Sequence, residues 1–141
     1  MRVTIRSARP EDAKAIFQII RDELFENLSA ADTAHILARL CVNRKHKVFS
    51  AEVDGQVVGF LHISDYESIL LRDQLKNITA IAVAASYRHI GIGRALLGRA
   101  EHWAEEYGAK GVRLDYHPLL AASADFFRAC GFQGNVKYFQ E

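Results

Sequence analysis

The segment VAASYRHIGIGRALLG, Val83 to Gly98, constrains this chain more than any other. An apolar, strand-like run enters a turn led by Arg88, passes Gly91 and Gly93, and continues directly into an amphipathic helical pattern. Glycines free the N–H groups of the turn, and the first N–H groups of a helix have no partner within it. Together they form a seat for a diphosphate. Two common nucleotide-binding readings fail on the same glycines. A dinucleotide fingerprint needs a third glycine where Leu96 stands, and a P-loop needs Gly-Lys followed by Ser or Thr.

The rest of the chain supplies strands and helices around this segment. Val3 and Ile5 alternate with polar neighbours as in a short strand, and Pro10 sets a helix start with Glu11 and Asp12 in its first turn. Ala13, Ile16, Phe17 and Ile20 share the face that should be buried. The pattern breaks near Asn27 and Leu28, and Ser29 caps a second helix carrying Ile36, Leu37 and Leu40. Lys47 to Val53, Asp54-Gly55 and Gln56 to Ser64 read as strand, type I′ turn and strand. Asp65 to Arg72 has no clear pattern, whereas Leu75 to Val83 is apolar enough for a central strand covered on both faces. Ile92, Leu96, Leu97, Ala100, Trp103, Ala104 and Tyr107 keep helical spacing until Gly108. A strand over Val112 to Tyr116, a helix over Ala121 to Cys130 closed by Gly131, and a last short strand within Val136 to Gln140 complete the pattern. The fold class is α/β, with a mixed central sheet and flanking helices in one domain spanning residues 1–141.

Composition narrows the partners. Eighteen Lys and Arg balance 17 Asp and Glu, giving a net charge of +1 and no broad basic field, so neither nucleic acid nor a membrane surface is expected. No apolar run approaches a membrane span of roughly 20 residues, and charges stand where a secretory signal would be apolar, so a cytoplasmic protein is expected. Cys41 and Cys130 form neither a disulfide framework nor a metal-ligand spacing and are expected to be small buried fillers. His35, His46 and His102 likewise lack the pattern of a metal site.

With its flanking strand and helix, Arg88-His89-Ile90-Gly91-Ile92-Gly93 resembles the coenzyme A signature of the GCN5-related N-acetyltransferase (GNAT) superfamily, which is Arg or Gln, two residues, Gly, one residue, Gly or Ala. A second signature follows in LDYHPLLAASADFFRACGF, Leu114 to Phe132. The resemblance implies a sheet splayed between its fourth and fifth strands, with the arm of acetyl-coenzyme A (acetyl-CoA), the co-substrate, entering the gap. Backbone groups near Ile81 and Val83 would bond to the arm, and the Val83 amide would lie near the thioester carbonyl. The diphosphate would meet the turn residues Arg88, His89, Gly91, Ile92, Gly93 and Arg94. The Arg88 side chain either pairs with phosphate or braces the turn. The family usually has a further strand after the one that follows Gly-Phe, and here the remaining GNVKYFQE fills one strand. A ragged sheet edge that a second copy would cover follows, so a homodimer is expected.

The implied chemistry is attack of a neutral primary amine on the acetyl thioester without a covalent enzyme intermediate. Two proton transfers follow, one from the ammonium and one to the departing thiolate. The family's proton-donating tyrosine falls on Phe127 and its asparagine on Leu120, so thiolate leaves unprotonated or through water, or Tyr116 or His117 substitutes. His62, Asp65 and Glu67 are candidates for the base, and Asp115 alternates with Leu114 so as to face the cleft. Glu23, Phe25, Glu26 and Asp32 flank the break between the first helices, where carboxylates would suit a cationic amine. The reading is acetylation of a small-molecule amine. Peptide or protein N-terminal acetylation, and a non-catalytic acyl-CoA sensor or assembly module, stand as alternatives.

Overall fold

The computed structural model describes residues 2–24, 26–115 and 123–139. β1 (Val3–Ser7) is followed by a tight turn of helix (Pro10–Asp12), α1 (Ala13–Ile19), one wide π-type turn (Ile20–Leu24) and α2 (Ala30–Cys41). The β2 (His46–Val53) and β3 (Gln56–Tyr66) hairpin leads to β4 (Leu75–Val83), α3 (Ile92–Glu106), β5 (Gly111–Leu114), α4 (Ala124–Ala129) and β6 (Val136–Tyr138). The strands form one sheet in chain order, antiparallel except where β4 and β5 run parallel.

Local chemistry accounts for the boundaries. Ser29 caps α2, its Oγ accepting from the Asp32 amide at 3.0 Å. Asp54 at φ 50° and Gly55 at φ 85° form the two-residue turn that matches the twist of a hairpin. Asp12, in the first turn before α1, is buried and accepts from Arg6 on β1, from the Arg9 amide and from Ser50 on β2. One carboxylate thus joins the helix start to two strands.

The sheet separates two apolar layers. Phe49, Leu61, Ile63, Ile78 and Val112 pack against Leu96, Leu97 and Trp103 of α3 and Phe127 of α4. On the other face, Val48, Phe60 and Ala82 pack against Ile16 and Ile19 of α1 and Leu37 of α2. Each fully buried Leu, Ile or Phe contributes about 1.5–3 kcal/mol, so these two layers hold the helices in place.

Several sequence expectations are corrected. β3 continues through Asp65 and Tyr66, because both pair with β4. On α1, Ile19 is buried while Phe17 is half-buried beneath the Arg21 guanidinium. Tyr107 lies beyond α3 and is largely exposed, and Cys41 is exposed where a buried filler was expected. β5 ends at Leu114, and Tyr116, His117, Leu120 and Phe25 lie outside the described residues.

Two irregularities position the site. Ala51 pairs with Gly59 and Glu52 with Val57, leaving Val58 as an extra residue in β3. Ile63 pairs with Ile78 and His62 with Ala80, leaving Thr79 as an extra residue in β4. β5 accompanies β4 only along Leu75–Ile78, with the Asp115 amide reaching the Ile78 carbonyl at 3.5 Å. From Thr79 onward β4 runs alongside β3 alone among the described residues, so there the sheet opens on the β5 side.

Candidate functional site

The open edge of β4 follows from strand alternation. Ala84 donates its N–H to the Val58 carbonyl at 2.8 Å, so the even-numbered residues at this end of β4 bond to β3. The backbone groups of Ile81 and Val83 therefore point away from β3 and into the gap. An extended ligand arm can pair there as an added strand.

Beyond β4 the chain makes a short turn of helix at Ala85–Tyr87 and reaches the glycine turn. His89 at φ 65° and Gly91 at φ 90° turn the backbone through left-handed conformations. Gly91 caps α3, its carbonyl accepting from Ala95 at 3.0 Å. The amides of Ile92, Gly93 and Arg94 then precede the first intrahelical bonds, the arrangement that holds an anion. The Ile92 side chain is 2% exposed and belongs to the core, so only its amide serves the turn. His89 and Arg94 are exposed beside the same turn.

The two glycines have separate reasons. A Cβ on Gly91 would meet open space, so its φ alone demands glycine. A Cβ on Gly93 would stand 3.2 Å from Cζ of Phe126, so there glycine allows α4 to approach α3.

Arg88 braces this turn. Its Nη2 donates to Glu23 and its Nε donates to the Val83 carbonyl at 3.3 Å, while the Ala85 amide donates to Glu23 Oε2 at 3.1 Å. Glu23 is thereby taken out of the acidic acceptor pocket expected from the sequence. Asp32 is exposed on the first turn of α2, and of the carboxylates at that helix break only Glu26 lines the cavity described next.

That cavity, of about 250 Å³, lies between the first two helices and the sheet. Ile16, Ile20, Leu24, Ile36, Leu37 and Leu40 form its helical wall, Leu28 lines it from the stretch before α2, and Val48, Phe60, His62, Thr79, Ala80 and Ile81 form its sheet wall. It touches β4 where the sheet opens, and its lining is largely apolar rather than acidic.

The structure sorts the proposed acid and base residues. His62 lines the cavity, and its Nε2 lies 2.9 Å from Nδ1 of His46. Burial, then the neighbouring imidazole, push its pKa down to about 4 against the opposing pull of Asp115, so the ring is neutral near pH 7. Asp65 does not join the cavity: it bonds the buried Lys76 ammonium at 2.5 Å, and that ammonium stands over the Trp103 ring on the α3 face. Glu67 is exposed beyond the end of β3 and does not line the cavity. Asp115 sits just past β5, held by Asn77 at 3.0 Å and Arg113 at 3.1 Å. Arg113 also donates to Asn77 Oδ1 at 2.6 Å and stacks its guanidinium over Tyr66.

Phe127, at the position of the family's tyrosine, is 3% exposed and sits edge-on to Phe126 and Phe132. It is core and carries no proton. Thr79, Asn77, Arg113 and His46 were not foreseen as site residues. His46 has a sequence signal only through register: without the extra residue Val58 it would share a face with Ile63, and with it His46 shares a face with His62.

Comparisons with known proteins agree with this geometry. The chain is 29% identical over 136 residues to an N-alpha-acetyltransferase of Sulfurisphaera tokodaii, covering 92% of this chain and 79% of that protein. It is 29% identical over 143 residues to an aminoglycoside N(6')-acetyltransferase type 1 of Stenotrophomonas maltophilia, covering 97% and 92%. The solved structure of the aminoglycoside N-acetyltransferase AAC(6')-Iy in complex with CoA superposes with a TM-score of 0.83 at 17% identity, covering 99% of this chain and 95% of that one. Residues 13–132 match the sequence model of the Acetyltransferase (GNAT) family, and the chain belongs to that family.

Proposed function

We propose that this protein transfers the acetyl group of acetyl-CoA directly to the primary amine of a small molecule held in the cavity beneath α1 and α2. The observation that carries this reading is the open edge of β4 at Ile81 and Val83, which lies between the glycine turn and the cavity lined by His62. The amides of Ile92, Gly93 and Arg94 fit a diphosphate, and the backbone of Ile81 with the Val83 amide, all directed away from β3, fits the arm that follows it. A fixed Val83 amide beside the thioester carbonyl opposes the charge that grows on its oxygen as nitrogen attacks. A neutral His62 is in the state needed to accept a proton. With Phe127 buried, the thiolate leaves unprotonated, through water, or with help from a group such as Tyr116 or His117.

The apolar lining supports an acceptor that carries an apolar group beside its amine. The same lining favours a second reading, acetylation of a peptide whose first residue is apolar. Relatives bearing N-alpha and aminoglycoside acetyltransferase names stand on either side of that choice. β6 leaves one edge without a strand partner among the described residues, and Tyr138 on it is 56% exposed, which supports a homodimer through that edge.

The test is release of free thiol from acetyl-CoA across polyamines, aminoglycosides, apolar amines, amino acids and short peptides varied at the first residue. Stimulation by apolar amines supports the first reading, and stimulation by peptides alone replaces it with the second. A flat panel from a protein that binds acetyl-CoA overturns both in favour of an acyl-CoA sensor.

A further inference from the structure

The wall between two cavities contains a pair of bonded imidazoles. The first cavity is the one beneath α1 and α2. The second, of about 410 Å³, opens beside the start of β2 and is lined by Cys41, Asn43, Arg44, Lys47 and His46 among others. Leu40 and Val48 line both cavities and separate them. His62 lines only the first and His46 only the second, and their facing nitrogens, Nε2 and Nδ1, are 2.9 Å apart. The two rings, with centroids 5.1 Å apart, therefore bridge an apolar partition.

We propose that His46 is a positioning and relay residue that carries the acceptor's proton from His62 in the reaction cavity to water in the second cavity. This rests on the acetyl-transfer reading above. In the productive tautomer His62 donates Nε2–H to Nδ1 of His46, which leaves Nδ1 of His62 as the ring's accepting nitrogen. As the acceptor ammonium gives its proton to His62 Nδ1, His62 passes its Nε2 proton to His46 Nδ1, and His46 releases its own Nε2 proton to water. The freed amine lone pair forms the new C–N bond at the thioester carbonyl. The C–S bond then breaks, its electron pair leaving on the CoA thiolate, and the amine's second proton goes to solvent. Exchange with water at the two outer nitrogens restores both tautomers after product leaves.

The surroundings explain why a relay suits this site. A positive charge resting on His62 is disfavoured by burial and by His46, and relieved only in part by Asp115 at the end of β5. Glu26, between α1 and α2, is the carboxylate lining the same cavity, while Thr33 and Thr79 contribute only hydroxyls. On the far side, His46 opens on a roomy cavity lined by the polar Asn43, Arg44 and Lys47, a setting in which water can take up the released proton. Concerted passage keeps His62 neutral throughout.

The experiment uses the whole chain and the best acceptor of the panel. His46→Gln, which keeps a polar group but transfers no proton, should lower kcat by about 10-fold or more, a part of the 10²–10⁴ available to general base catalysis. KM for acetyl-CoA should stay within about 2-fold, as expected of a group that acts on proton transfer and not on binding. Imidazole added to His46→Ala should restore rate through the second cavity, which a merely structural role would not allow. Equal kcat in wild type and His46→Gln across the pH profile overturns the relay while leaving the acetyl-transfer reading intact, whereas a silent wild type overturns that reading. Nitrogen-15 spectra of the two rings give an arm independent of turnover: His62 protonated on Nε2 supports the relay, and the shared proton resident on His46 Nδ1 overturns it.

Discussion

Glu23 and Arg88, 65 positions apart, form an ion pair that ties the wide turn after α1 to the glycine turn before α3. The same carboxylate accepts the Ala85 amide, and the same guanidinium holds the Val83 carbonyl, so one pair fixes both ends of the segment that leaves β4. The arginine that opens the glycine turn is thus committed to shaping it. A diphosphate seated at this turn, as proposed, would meet amides whose positions are set in advance.

This connection predicts different outcomes for two variants. Glu23→Gln retains an acceptor for the Ala85 amide, and CoA affinity should stay within about 3-fold because the pair is partly exposed. Arg88→Ala removes both the pair and the bond to Val83, and affinity should fall about 10-fold, a loss typical of charged hydrogen bonds. Calorimetric titration with CoA decides. A reversed order, with the glutamate variant weaker, would show that the Glu23 charge acts on the turn through groups other than Arg88.

Gly91 and Gly93 should also fail in distinguishable ways. A bulky residue at Gly91 forces a left-handed conformation into an exposed turn, costing about 1–2 kcal/mol of stability and abolishing CoA binding while the fold survives. Gly93→Ala pushes on Phe126 and should loosen α4 against α3, lowering the melting temperature along with affinity. Melting curves paired with titrations separate the two. Unchanged affinity in the Gly91 variant would remove the turn from the phosphate site.

Much of the fold was legible because its signals are local. The Asp54-Gly55 turn, the Ser29 cap, the dense run Leu75–Val83 and the glycine turn each declare themselves within a few residues. The candidate site was less legible because it depends on register. Val58 and Thr79 each insert one residue, and each insertion moves side chains to the opposite face of the sheet. His62 was nameable from its strand, but its pairing with His46 required the Val58 bulge. Glu23 read as an acceptor carboxylate because its partner lies far along the chain, and Asp65 as a base because its partner is a lysine that sequence alone would place in water.

Asp65 provides a direct check of that last correction. Its partner Lys76 is 3% exposed, with its ammonium over Trp103 and Tyr107, so removing the carboxylate strands a charge inside the protein. Asp65→Asn should lower stability by about 2 kcal/mol with kcat near wild type. Adding Lys76→Met should return most of the loss, since the stranded charge goes with it. A large fall in kcat at full stability would restore Asp65 as a base.

Acid should unfold the protein in two successive windows, assigned to His62 and Asp12. Unfolded His62 takes up a proton near pH 6.5, whereas the folded ring resists protonation down to about 4. Between these values the unfolded state holds more protons, so stability falls as pH falls. At Asp12, burial alone would raise the pKa, but hydrogen bonds from Arg6, the Arg9 amide and Ser50 outweigh it and hold the carboxyl below its ordinary 3.8. Its contribution is present above that ordinary value and is lost as pH falls through the lower folded one. Urea unfolding across pH should therefore show wild-type stability declining from about pH 6.5 and again below about pH 4. His62→Gln should flatten the first decline only. Asp12→Asn should flatten the second and lower stability by about 3 kcal/mol at neutral pH, because it leaves Arg6 without its main partner. A His62→Gln profile parallel to wild type between pH 6.5 and 4 would show that the ring is not buried neutral, and the cavity beneath α1 and α2 would then lose its neutral acceptor of protons.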